Sequence, residues 1–416
     1  MDKPATSKGF DEARLAAETA AMQGVVDAGD LSGMVTLIWR DGEEVQLNTL
    51  GKRDIANNKP MTRDTLFRIA SMTKPITSVG ALMLMEEGKL RLDDPITKWL
   101  PEFKNGVVLK DPKGPLEDTY KSPRDITVED LMTHRSGLAY GFTSSGPIAK
   151  AYEKVLGTPL DNPKTADEWL KTIASLPLSY PPGERMHYSH STEVLGFLLG
   201  RIEGKPYREV MKERILDPLG MKDTDFYVPK EKRDRAAVVY QQDQETGALK
   251  PVPFPQYDSA PAYTAGGGGM ISTLDDYLSF ARMLLNKGEL NGRRYLTRDT
   301  FEMMATNHLT EAQREIPFLG MPMWSGRGFG LGLSVITDEA KNEWMGAGSV
   351  GSFGWPGAFG TWWQADPVKN MILIFLIQNY TPLTPDMAGQ AVTGARMGAR
   401  VACPMFQKMV YGALNG

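Results

Sequence analysis

The chain has 416 residues, 47 Lys and Arg against 51 Asp and Glu, and a formal net charge of -4. That balance offers no basic footprint for nucleic acid, and the single cysteine, Cys403, excludes intramolecular disulfides and cysteine-based zinc sites. The length accommodates two domains, or one large domain carrying an insertion, and the partner to expect is a small molecule.

Met1 to Pro4 lead into an amphipathic stretch, without the apolar core and small-residue cleavage site of a secretory signal, so the cytoplasm is the expected location. Leu15, Thr19, Met22 and Val26 recur at helical spacing, and Gly29 supplies a stop. Gly33–Arg40 reads as a largely apolar strand, Asp41-Gly42 as a hairpin turn, and 43–50 as the partner strand.

Over residues 69–85 Lys74 is the only charged residue before Gly88-Lys89 closes the segment. The apolar neighbours Ile69, Met72, Ile76, Val79 and Leu82 to Met85 predict a helix buried nearly all round, with Pro75 in its first turn. A lysine there loses much of its hydration, which favours the neutral amine, and a neutral amine is a base. Ser71 lies three residues earlier, on the same helical face, so its hydroxyl comes within reach of that amine at the positive end of the helix. The pair has the makings of an activated nucleophile. The competing structural account is a serine cap beside a lysine that snorkels to solvent.

The middle third reads as helical. Thr127-Val128-Glu129-Asp130, Thr165-Ala166-Asp167-Glu168 and Thr192-Glu193-Val194 each resemble helix starts, separated by connections such as Pro181-Pro182-Gly183. After the four glycines at 266–269, Thr273 caps a helix that runs to about Asn286. Strand signals return at 329–337, 359–365 and 371–378, with Asp366 to Asn370 as the turn between the last two. Residues 371–377 are too few to span a membrane and read as a buried strand. A closing helical stretch covers about 387–414, kinked or interrupted at Pro404. Strands at both ends around a helical middle predict an α/β domain from residues 1–80 and 265–416, with a mainly helical domain inserted over 81–264 and the active site in the cleft between them.

Three motifs in this order resemble the serine β-lactamase and penicillin-binding-protein superfamily, and within it the family VIII carboxylesterases related to class C β-lactamases. They are Ser71-Met72-Thr73-Lys74 for S-x-x-K, Tyr188-Ser189-His190 at the tyrosine motif, and Trp355-Pro356-Gly357 where the lactamases carry Lys-Thr-Gly and the esterases Trp-x-Gly. The connecting segments 88–95, 131–138 and 266–276 are similar to the superfamily's as well.

The resemblance implies a β-lactamase/transpeptidase-like α/β fold, an antiparallel sheet flanked by helices with an inserted helical domain. It implies Ser71 as the acylated nucleophile, Lys74 as its proton partner, and Tyr188 as the residue that exchanges protons with the leaving group and the deacylating water. Trp355-Pro356-Gly357 would open an edge strand lining the cleft, with the Ala358 and Ser71 amides as oxyanion hole and Gly357 keeping the approach clear. Tyr140 and Phe142 are candidates to line the acyl pocket. His190 stands where the lactamases have Asn, and the cation of the third motif is absent. No cofactor or metal is implied, and no Gly-x-Ser-x-Gly pentapeptide occurs to make His134 or His187 a triad base. The expected activity is hydrolysis of small, short-chain acyl esters, with weak cephalosporin hydrolysis. Acyl transfer, a class C-like lactamase and a non-enzymatic binding protein are the alternatives.

Overall fold

The computed structural model describes residues 9–157, 162–243, 245–384 and 398–415. Its frame is an antiparallel sheet in the order Arg327–Phe329, Ser334–Ile336, Phe353–Gly354, Trp362–Asp366, Met371–Leu376, Gly33–Arg40, Glu43–Asp54, Lys59–Pro60. Gly33–Arg40 pairs in register with Met371–Leu376, so segments from the two ends of the chain meet at its centre. The hairpin at Asp41-Gly42 turns with φ of 52° and 90°, the mirror-image geometry that matches strand twist.

All six residues of Met371–Leu376 are buried, because both sheet faces are covered. Met34, Ile38, Leu373 and Phe375 point into one apolar layer with Met22 of the helix Glu12–Asp27 and Phe406 and Val410 of Gly398–Gly412. Val35, Leu37, Ile372, Ile374 and Leu376 point the other way, into the main core shared with the helices Leu274–Leu285 and Thr73–Glu86.

The helix Thr73–Glu86 is buried at every position from Thr73 to Leu82, as its composition requires. It packs beside Ser191–Glu203, and Gly80 allows the approach: a Cβ there would sit 3.1 Å from Met211 Sδ and 3.3 Å from Leu199 Cδ1. Thr127 and Thr165 cap their helices with reciprocal capping boxes, and Thr273 caps Leu274–Leu285. The third expected start falls one residue early, at Ser191 with His190 as N-cap.

Two expectations change. The strand expected at 329–337 is a hairpin, Arg327–Phe329 with Ser334–Ile336, because the intervening Gly332 adopts φ 89° and reverses the chain. The closing helix runs unbroken through Pro404 from Gly398 to Gly412, and residues 387–397 of the expected stretch lie outside the described residues. Among the described residues no helix is long and apolar enough to cross a membrane.

One polar contact is buried between the helix Glu12–Asp27 and the sheet. Glu18 is fully buried and accepts from Gln46 (2.6 Å) and Asn48 (3.3 Å), while its other carboxyl oxygen lacks a hydrogen-bond partner among the described residues. Desolvation raises this carboxyl from 4.5 to about 7, against the hydrogen bonds that favour the anion. A raised folded-state value means that its stability contribution is fully present below 4.5 and is lost as pH rises through 7. Glu18→Gln should therefore melt about 1–3 °C above the wild type at pH 8 and closely match it at pH 5, as thermal denaturation in the two buffers would register.

Candidate active site

The strand Phe67–Arg68 pairs with Ile271–Ser272, and Ile69 N donates to Met270 O at 3.1 Å. The chain then turns sharply, with Ala70 at φ 44° despite its Cβ, a conformation that costs about 1–2 kcal/mol. The turn Ala70–Met72 leads into the helix Thr73–Glu86 and leaves Ser71 partly exposed at its mouth.

Lys74 reaches back along the helix to that serine. Its Nζ lies 3.1 Å from Ser71 Oγ, 2.6 Å from the Gly267 carbonyl and 3.3 Å from Tyr140 OH, with the whole side chain buried. Tyr188 comes from the segment before Ser191–Glu203, and its hydroxyl is 2.7 Å from Ser71 Oγ. The ammonium position is 4.6 Å from the Tyr188 ring centroid. Trp355 completes the group by donating Nε1–H to Tyr188 OH at 3.1 Å. Residues up to 284 positions apart, Ser71 to Trp355, are thus joined in one hydrogen-bonded chain.

Gly357 and Ala358 run against the Ala70–Met72 turn. A Cβ on Gly357 would collide with the Ile69 carbonyl oxygen and Thr361 Oγ1, and Thr361 Oγ1 donates to that same carbonyl at 3.2 Å. The glycine is needed for backbone-to-backbone approach, which differs from the expectation that it keeps space open for substrate. Among the described residues the amides of Ser71 and Ala358 donate to no acceptor. Ala70 and Ala358 share an apolar cluster with Val239, Phe254 and Phe359, and Val239 and Phe254 also line a cavity of about 500 Å³ behind the turn.

Trp355 departs from the expected edge strand. The ladder ends at Gly354, Phe353–Gly354 lies inside the sheet, and Trp355 to Ala358 form the connection to Trp362–Asp366. The indole is buried against Phe329 (5.0 Å), Tyr188 (5.6 Å) and Phe318 (6.0 Å). Tyr140 is also buried, with its hydroxyl turned to Lys74 and to both carboxyl oxygens of Glu193, at 2.9 and 3.0 Å. Phe142 stacks on Tyr140 at 4.8 Å and stays partly exposed.

His134 packs its ring against Tyr188 at 4.6 Å and pairs with Ser189, while His187 faces Ser144, Thr143 and Tyr180. His190, at the lactamase Asn position, lies among Tyr140, Tyr152 and Trp169, and burial pushes it down to about 3. Glu193 is the residue that sequence reasoning passed over. An acid in the first turn of a helix looks like an ordinary dipole contact, and only the tertiary fold buries it beneath Tyr140.

Comparison with known proteins matches residues 18–393 to the family described as Beta-lactamase. Protein Rv1367c of Mycobacterium tuberculosis (strain ATCC 25618 / H37Rv) is 47% identical over 398 residues, covering 95% of this chain and 98% of its own. Esterase EstB of Burkholderia gladioli is 31% identical over 395 residues, covering 89% and 92%. Among solved structures, EstCE1, described as a hydrolase with promiscuous acyltransferase activity, superposes with a TM-score of 0.78 at 25% identity over 96% of this chain and 99% of that one.

The contact at Gly357 makes a direct prediction. Gly357→Ala must push the Ala358 amide away from the Ser71 turn, so kcat/KM should fall by about 10²-fold or more, the scale of a 1 Å misplacement. Esterase kinetics alongside a thermal melt would separate this from unfolding, and activity within a few-fold of wild type would show that the approach is not needed.

Proposed function

The chain belongs to the β-lactamase family and sits there with the family VIII esterases, a serine hydrolase of that fold; from this premise we propose that it is a carboxylesterase working through an acyl-enzyme on Ser71. The observation that carries the reading is the convergence of Lys74 Nζ and Tyr188 OH on one partly exposed oxygen, Ser71 Oγ.

In acylation Ser71 Oγ attacks the ester carbonyl carbon and its proton passes to the Lys74 and Tyr188 pair. The carbonyl oxygen becomes an oxyanion facing the Ser71 and Ala358 amides. Collapse breaks the bond to the alcohol oxygen, which takes a proton from Tyr188 and leaves. In deacylation water attacks the acyl carbon, gives its proton to the same pair, and Ser71 recovers its own as the acid departs. Lys74 Nζ and Tyr188 OH both face Ser71 Oγ, so the proton taken from the serine is assigned to the pair.

Substrate charge follows from the third motif. Where a lactamase would hold a cation for the substrate's carboxylate, this chain has a buried indole committed to Tyr188. An anionic substrate forgoes a charge-assisted hydrogen bond of about 1.5–3 kcal/mol, one to two orders of magnitude in affinity, and a neutral ester forgoes nothing. The aromatic neighbourhood of Tyr188, Phe318, Phe329 and Trp355 suits an apolar ester.

Acyl transfer to an alcohol is the second reading, favoured by the described activity of EstCE1. Product analysis with and without a short alcohol decides how the acyl group divides between it and water.

A fluorophosphonate should leave a stable adduct on the Ser71 peptide. Ser71→Ala should abolish turnover, Lys74→Arg should nearly do so because a guanidinium cannot give up its proton, and Tyr188→Phe should cost about 10²-fold or more. Labelling of another serine with Ser71 untouched would falsify the assignment.

With p-nitrophenyl butyrate and a penicillin compared side by side, kcat/KM should favour the ester by at least tenfold. A preference for the penicillin would make the protein a lactamase instead. Lysine at 355 would have to bury its ammonium among Phe329, Phe318 and Tyr188, so the informative substitution is Trp355→Phe. It keeps the packing, removes the donor to Tyr188, and should lower kcat several-fold with little change in KM.

A further inference from the structure

Lys74 has three acceptors within reach, Ser71 Oγ, the Gly267 carbonyl and Tyr140 OH, which is the full capacity of an ammonium. Tyr140 can accept from Lys74 only if its own proton is committed elsewhere. It is committed to Glu193, whose two carboxyl oxygens lie 2.9 and 3.0 Å from the phenol oxygen. Both side chains are buried, and Gly267 leaves room for the carboxylate, since a Cβ there would sit 2.5 Å from either oxygen.

Resting on the reading of Ser71 and Lys74 given above, we propose that Glu193 is a positioning residue of this site, whose ionised carboxylate acts through the Tyr140 hydroxyl to hold Lys74 on Ser71. The helix Ser191–Glu203 presents Glu193 in its first turn, where the dipole supports a negative charge. When Glu193 takes up a proton it becomes a donor itself, the Tyr140 proton swings toward Lys74, and the lysine loses an acceptor.

Among the described residues four titratable groups face this carboxylate. Lys74 from Thr73–Glu86 favours its charge. His190, with Nδ1 3.9 Å away and no hydrogen-bond partner among the described residues, is pushed down to about 3 and stays neutral. Tyr140 is pushed well above 10 by burial and by Glu193, and Tyr207, bonded to Thr77, is also pushed above its usual value, so both keep their protons. Burial raises Glu193 itself to about 7 against the opposing pull of Lys74.

The test is the pH profile of p-nitrophenyl butyrate hydrolysis from pH 5.5 to 8.5, with fluorophosphonate labelling of Ser71 at pH 8 as an independent check. In the wild type kcat should fall about tenfold through a midpoint of about 7 and level off toward pH 5.5, while KM stays within twofold. His187 and His134 do not account for such a limb, since burial pushes His187 to about 4 and His134 well below 6.5.

Glu193→Gln keeps an oxygen to accept from Tyr140 but cannot take up a proton, so its profile should be flat through pH 7, about tenfold below the wild-type plateau. Tyr140→Phe removes the donor that stabilises the carboxylate, and should lower kcat and move the limb to higher pH. Glu18→Gln, on the far face of the sheet, should leave the limb in place. A limb unchanged in Glu193→Gln, or unmoved in Tyr140→Phe should the glutamine variant not fold, overturns the proposal. Failure of Ser71 to label in the wild type would instead overturn the esterase reading itself.

Discussion

The burial of one amine organises this site. Lys74 enters the core on a helix that exposes nothing from Thr73 to Leu82, so its Nζ has no water and must find protein acceptors. Each acceptor comes from a different part of the chain: a hydroxyl from the preceding turn, a carbonyl from the glycine tract, and a phenol from the loop after Ser136-Gly137. Removing any of them leaves a buried donor unsatisfied, so the packing of three distant segments is tied to one nitrogen. That gives the serine a neighbour whose position is set by the whole domain rather than by one flexible stem.

The backbone makes matching concessions around the serine. Ala70 adopts a left-handed conformation although a glycine would do so at less cost, and Gly357 brings its backbone against the Ile69 carbonyl where no side chain fits. Together they bring the turn Ala70–Met72 and the connection after Phe353–Gly354 face to face. The sheet holds the second of these in place, because Trp362–Asp366 continues directly into the fully buried Met371–Leu376 pairing. The place of that connection is therefore set by the same central strands that join the two ends of the chain.

Aromatic packing then fixes the position of the Tyr188 phenol. Tyr188 is touched by His134, Tyr140, Phe318 and Trp355, and it receives the indole N–H while facing Ser71. A phenol so surrounded has little freedom to leave the serine. The Trp355 indole is buried and hydrogen-bonded, so its packing and its contact with Tyr188 are held together.

Much of this was legible in the order of residues. Helical spacing, the hairpin at Asp41-Gly42, the caps at Thr127, Thr165 and Thr273, and the all-apolar strand at 371–376 follow from local rules, and the single charge within 69–85 drew the eye to Ser71 and Lys74, three residues apart on one turn. The reversal at Gly332, the continuity of the helix through Pro404 and the placing of Trp355 outside any strand were not, because each depends on what packs alongside. Gly357 was recognised from its motif, but the contact that requires it is with Ile69, nearly 290 residues away. Glu193 shows the limit most plainly: in sequence it is one more acid at a helix start, and in the fold it is a buried carboxylate hydrogen-bonded to the phenol that Lys74 donates to. The sequence by itself determined the chemical types and the local spacing that brings a lysine to a serine; tertiary structure alone decided which distant oxygens that lysine meets, because burial and long-range contact arise only once the chain has closed on itself.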